Sequence, residues 1–144
     1  MLTDSEDMMS TNTALVSEFC DLMVKRDAEV LRRFFTADAV YHNVGMPPAV
    51  GVDAIVENLA QQMTAFPDSY EYRMVNLAGD GDVVLTERVD MIRTPDGIKH
   101  GVPVMGTFVI TGGKISRWTD YFDTALLVKM NTGEDYSALV PQSS

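Results

Sequence analysis

Between Tyr70 and Phe122 the chain reads as runs of strand-forming residues separated by Gly79-Asp80-Gly81-Asp82, Thr94-Pro95-Asp96-Gly97 and Gly112-Gly113. Such punctuation predicts strands over Tyr70–Leu77, Val83–Arg93, Ile98–Thr111 and Lys114–Phe122, joined as an antiparallel meander. Gly101, Pro103 and Gly106 interrupt the third run and predict bulges that bend the sheet. Ahead of this block the period changes to helical. Leu15, Phe19, Leu22 and Met23 share one stripe from about Thr13. Asp27 is placed to cap a short helix carrying Val30, Leu31, Phe34 and Phe35, and Ala39 to Val44 reads as a strand. After Gly51 a third helix carries Val52, Ile55, Val56, Leu59, Met63 and Phe66, with Pro67 as its stop.

Helices followed by a meander predict an α+β domain: N-terminal helices packed on a strongly curved mixed, mostly antiparallel sheet, forming a cone with an internal pocket. The 144 residues suffice for one domain over residues 1–144. Residues 1–10 read as a loose polar arm, Thr124 to Met130 as a last helical turn, and residues 131–144 as a weakly patterned tail. A net charge of −10 argues against nucleic acid and against anionic membrane surfaces as partners. With no membrane-length apolar run, no signal-like start and Cys20 as the single cysteine, a cytoplasmic location is expected.

Three polar clusters interrupt otherwise apolar strands: Tyr41-His42-Asn43, Thr86-Glu87-Arg88-Val89-Asp90 and Trp118-Thr119-Asp120-Tyr121-Phe122. Residues two apart on a strand share a face. Tyr41 therefore goes with Asn43, Arg88 with Asp90, and Asp120 with Trp118 and Phe122, whereas Glu87 and His42 point the other way. Apolar residues on both faces of Val83–Arg93 predict a strand covered on both sides. Arg88 and Asp90 stand about 6 to 7 Å apart at Cα, a spacing at which one guanidinium can hold Asp90 and still reach a second carboxylate. Asp120 is the natural second partner. Two carboxylates bridged by an arginine can share a proton, so that one serves as acid and the other as base. Spacing does not say which is which. Taken singly, each of these residues is an ordinary structural feature; the conjunction points to chemistry on a neutral, largely apolar molecule.

Tyr41-x-Asn43, Met46-Pro47-Pro48-Ala49 with Gly51 and Asp53-Ala54, Thr86-Glu87-Arg88-Val89-Asp90, and Trp118-x-Asp120-Tyr121-Phe122-Asp123 resemble, in order and spacing over roughly residues 14 to 128, the limonene-1,2-epoxide hydrolase family. Its wider superfamily has the SnoaL and ketosteroid-isomerase-like cone fold. The resemblance implies one-step, cofactor-independent hydrolysis of an epoxide to a vicinal diol. By motif, Asp120 would activate water held by Tyr41 and Asn43, Asp90 would protonate the epoxide oxygen, and Arg88 would bridge both aspartates. It also implies a homodimer formed through the sheet.

Strand parity and resemblance together nominate Ile92, Val102, Val104, Trp118 and Phe122 for the substrate pocket, with Met23 and Met63 as further lining. Such a lining suits a cyclic or terpene-like epoxide. Two histidines and one cysteine offer no zinc spacing, and Gly79-x-Gly81 is not a phosphate loop. No metal or organic cofactor is expected. Two other readings use the same fold: an isomerase or cyclase acting on a ketone, and a non-enzymatic binder of a small hydrophobic ligand.

Overall fold

The computed structural model describes residues 4–66 and 70–141. Helix α1 (Asp4–Asp21) leads through a 3-10 turn to the short α2 (Ala28–Leu31), whose first turn is capped by the Asp27 carboxylate accepting from Glu29 N at 3.2 Å. Strand β1 (Phe35–Asn43), the two-residue β2 (Ala49–Val50) and helix α3 (Val52–Ala65) follow. The meander is β3 (Tyr70–Asp80), β4 (Val83–Arg93), β5 (Lys99–Thr111) and β6 (Lys114–Phe122), followed by α4 (Thr124–Asn131) and a 3-10 turn over Ser137–Leu139, beside which Tyr136 is buried against His100. Helical backbone thus begins at Asp4 rather than near Thr13, replacing the loose arm over residues 4–10. No apolar stripe marks that stretch, so periodicity gives no start signal there. The expected stop at Pro67 lies outside the described residues.

The six strands form one curled, unclosed sheet in the order β2-β1-β6-β5-β4-β3. β1 runs parallel to β6 and every other pairing is antiparallel, so the sheet is mixed, as expected. α1 packs on β3 and α3 on β1, which places the core between the helices and one face of the sheet. Phe19 of α1 sits at its centre, with edge-on contacts to Phe34, Phe35, Phe108 and Trp118 at ring separations of 5.1 to 6.0 Å. Cys20 is buried beside it, and burial pushes its thiol up to about 12, which leaves it a packing residue rather than a nucleophile. Among the described residues no helix is long and apolar enough to cross a membrane.

Two expectations need correction. β4 pairs with β5 in unbroken register from Val83↔Val109 to Arg93↔Lys99, so Gly101, Pro103 and Gly106 form no bulges there. The register shifts instead fall between Met74 and Asn76 on β3, between Phe35 and Val40 on β1, and between Val109 and Ile110 on β5. Pro103 is tolerated because β6 pairs with β5 only from Val104 onward, which leaves no ladder partner waiting for a Pro103 N–H on that side. Secondly, the two faces of β4 are covered unequally, the outer one being half-buried over most of its length. Val84, Thr86, Arg88, Asp90 and Ile92 are buried, whereas Leu85 on the other face is 49% exposed.

Candidate active site

The parity of β4 sends Thr86, Arg88 and Asp90 into the buried face, and β6 sends Asp120 there from two strands away. β5 lies between them, so the Arg88 side chain must cross β5 to reach Asp120. It crosses at Gly106, the cross-strand neighbour of both Thr86 and Asp120. A Cβ on Gly106 would fall on Arg88 Nη1, 2.5 Å from Asp120 Oδ1 and 2.9 Å from Thr86 Oγ1. Glycine is there to make room, not to bend the strand. Because all three obstructing groups are pinned by hydrogen bonds, Gly106→Ala is expected to lower Tm by roughly 5 °C and to depress turnover with it. A thermal melt and a rate measurement at matched substrate check both; a variant with unchanged Tm would show that the crossing has slack.

All five N–H donors of the buried Arg88 are satisfied. Nε and Nη2 donate to Asp90 Oδ1 and Oδ2, both at 3.0 Å, while Nη1 and Nη2 donate to Asp120 Oδ1 and Oδ2 at 3.1 and 2.9 Å. Nη1 also donates to Thr86 Oγ1 at 3.2 Å, and that hydroxyl donates onward to the Gly106 carbonyl. Below the guanidinium, Cζ lies 4.4 Å from the centre of the Tyr72 ring, a cation–π contact. Burial opposes the Arg88 charge, but the two aspartates outweigh it and raise its pKa.

The two carboxylates are held unequally. Asp120 accepts three N–H bonds, the third from Trp118 Nε1 at 2.7 Å, and Asp90 accepts two. Burial lifts the Asp90 carboxyl to about 6 in spite of Arg88. Asn43 is the cross-strand neighbour of Asp120, and Tyr41 that of Trp118. The Tyr41 ring is stacked on Trp118 at 3.9 Å, and its hydroxyl meets the Asn43 amide, accepting from Nδ2 at 2.9 Å and donating toward Oδ1 at 3.2 Å. Desolvation raises the Tyr41 pKa, which keeps the phenol protonated.

These groups line a cavity of about 380 Å³, in the range of small-ligand sites. Tyr41, Asn43, Asp90 and Asp120 reach it, while Arg88 lies behind them. Ile92, Val102, Val104 and Phe122 line it as expected. Trp118, Met23 and Met63 do not. The indole of Trp118 is fully buried between Tyr41 and Phe108 and holds Asp120, and both methionines are in the core. The lining is also less apolar than expected, because Asn58 and Gln62 of α3 and Tyr70 of β3 face the cavity. The only sequence cue for the first two was their separation of one helical turn. His42 turns away and pairs with the Met46 carbonyl at 2.8 Å, and Glu87 is held outside by Asn76. A larger cavity of about 780 Å³, against Glu71, Met91 and Tyr136, touches neither aspartate. Among the described residues no three His, Cys, Asp or Glu side chains are grouped to hold a metal ion.

Residues 10–132 match the model of the limonene-1,2-epoxide hydrolase catalytic domain. The epoxide hydrolase EphG of Mycobacterium tuberculosis is 29% identical over 109 residues, which cover 75% of this chain and 70% of EphG. The solved structure of an M. tuberculosis epoxide hydrolase of the same type superposes with a TM-score of 0.72 at 25% identity, covering 88% of this chain and 98% of that one. A SnoaL-like protein from Jannaschia sp. CCS1 superposes with a TM-score of 0.76 at 16% identity, covering 89% and 96%, and shares the fold.

Proposed function

The chain belongs to the limonene-1,2-epoxide hydrolase family and is an epoxide hydrolase, and from that premise we propose that it adds water in one step to an apolar, cyclic or terpene-like epoxide. The observation that carries this reading is the buried Arg88 holding Asp90 and Asp120 at once, with both carboxylates on the wall of one cavity. Asp120, better supplied with N–H donors, holds negative charge and takes a proton from the water that Tyr41 and Asn43 fix. The water oxygen attacks an epoxide carbon as its C–O bond breaks, and Asp90 gives its proton to the departing oxygen. The product is a vicinal diol. The proton gained by Asp120 and lost by Asp90 is then re-exchanged across the pair. The apolar side of the cavity, Ile92, Val102, Val104 and Phe122, accommodates the hydrocarbon part.

Turnover of limonene oxide or cyclohexene oxide in oxygen-18 water tests the reaction: label is expected only in the diol. Label in the protein after a single turnover would refute direct attack by water. The same substrate gives the pH test. Asp90 must carry a proton in the free enzyme, and its carboxyl sits at about 6, so kcat/KM should fall as pH rises through about 6. A profile flat from pH 5 to 8 would remove Asp90 from the role of acid. An isomerase reading has less support, since the family model and the relative matched above are epoxide hydrolases.

A homodimer through the sheet fits the outer face, where Met105 (52% exposed) and Tyr121 (54% exposed) are direct cross-strand neighbours. Sedimentation should give the mass of two chains. The single, buried Cys20 accords with a cytoplasmic location, which cell fractionation checks.

A further inference from the structure

Gln62 has no part in the chemistry so far, yet it is the hub of the cavity's uncharged polar wall. From α3 its Nε2 donates to Asn58 Oδ1 at 2.6 Å and to the Tyr41 hydroxyl at 3.3 Å. Its Oε1 accepts from the Tyr70 hydroxyl, which in turn lies 3.3 Å from the Tyr72 hydroxyl. In the orientation seen, each of these contacts joins a donor to an acceptor. Turning the amide over would set its carbonyl oxygen against Asn58 Oδ1 and its NH2 against the Tyr70 proton.

The consequence falls on Tyr41. A phenol oxygen carries one proton and two acceptor positions. Gln62 Nε2 and Asn43 Nδ2 supply a donor to each, so the Tyr41 hydroxyl has only its own proton left to offer. That direction matters for hydrolysis. A water that receives a hydrogen bond from Tyr41 keeps both of its protons for Asp120 and the Asn43 carbonyl oxygen, and keeps one lone pair for the epoxide carbon. A Tyr41 that accepted instead would draw a water proton away from Asp120. In the structure the Tyr41 proton faces Asn43 Oδ1 at 3.2 Å, the oxygen that would also take a proton of the bound water, while Gln62 occupies the acceptor position that Asn43 does not.

We propose that Gln62 is a positioning residue of the hydrolase site, which holds the Tyr41 hydroxyl as an obligate donor toward the attacking water. The inference rests on the epoxide hydrolase reading. Two substitutions separate it from a structural role. Gln62→Met removes the donor and keeps the volume. Gln62→Glu keeps the shape and makes donation conditional: a protonated glutamic acid can accept from Tyr70 and donate to Tyr41, whereas its carboxylate can only accept.

The experiment is steady-state hydrolysis of limonene oxide by wild type and both variants between pH 5 and 9, with a thermal melt of each. Gln62→Met is expected to lower kcat by about 100-fold with little change in KM, the scale of a misplaced reacting group. Gln62→Glu should match it at high pH and climb back toward wild type as pH falls, adding a limb that neither of the other proteins shows. Wild-type kcat in Gln62→Met, or a Gln62→Glu profile that merely parallels the wild type, overturns the inference and leaves the hydrolase reading standing. Should Gln62→Met not fold, the Gln62→Glu profile alone decides. Absence of any epoxide turnover by the wild type overturns both.

Discussion

Asp120→Asn is expected to reduce epoxide turnover by about 10³-fold, and Asp90→Asn by about 10²- to 10³-fold, the range spanned by positioned general bases and acids. Neither should unfold the protein. At position 120 an asparagine oxygen still accepts from Trp118 Nε1, and Arg88 keeps its two bonds to Asp90. At position 90 the stability argument turns on sign. The folded state raises this carboxyl from 3.8 to about 6, so its proton favours folding at low pH, and that contribution is lost as pH rises through about 6. Above that pH the wild type carries a buried charge that asparagine does not. Asp90→Asn should therefore melt within a few degrees of the wild type at pH 7.5 while losing its turnover. Rates and melting curves of the two variants, measured side by side, test this. Near-wild-type activity in either would refute the role assigned to that aspartate, and a collapsed melt for Asp90→Asn would show that its charge, not its proton, matters to the fold.

Much of this geometry is legible in the chain because strands carry a strict period. The bounds of β4 and β6 follow from turn residues alone, and parity alone sorts Arg88 and Asp90 from Glu87, and Tyr41 and Asn43 from His42. What parity cannot do is say where a long side chain ends. Trp118 shares a face with Asp120, yet its indole is filled in by Phe19, Tyr41 and Phe108 and serves the aspartate from behind the cavity. Contacts between elements are equally invisible. Gln62 flanks the apolar stripe of α3 beside Met63 and reads as a solvent position, because only folding brings Tyr41 and Tyr70 to it. A strand glycine has two meanings, bulge or close approach, and Gly106 has the second since the Arg88 side chain passes over it. The proposed choice of acid and base was not readable from spacing for a similar reason. It depends on a third donor, Trp118 Nε1, and on how deeply Asp90 is buried.

Arg88→Met is expected to cost the most stability of any single change at the site. The arginine is wholly buried and supplies two of the three donors on Asp120 and both donors on Asp90. Methionine fills part of the space and returns none of these bonds, leaving two carboxylates facing each other out of water. Removing one member of a buried ion pair costs about 3–5 kcal/mol, because the charge left behind is uncompensated. For a chain of this size that is a fall in Tm on the order of 10 °C. The deficit should depend on pH in a defined direction. Without the guanidinium, burial and mutual repulsion push the carboxyls toward their protonated forms in the folded state. Carboxyls raised in this way stabilise the fold at low pH and lose that contribution as pH rises. The Tm gap between variant and wild type should therefore be widest near pH 8 and should narrow toward pH 5, as the uncompensated carboxylates take up protons. Melting both proteins across that range measures it directly. A gap independent of pH would mean that Arg88 stabilises the core through its packing on Tyr72 and not through the two aspartates, and the electrostatic basis of the site would fall with it.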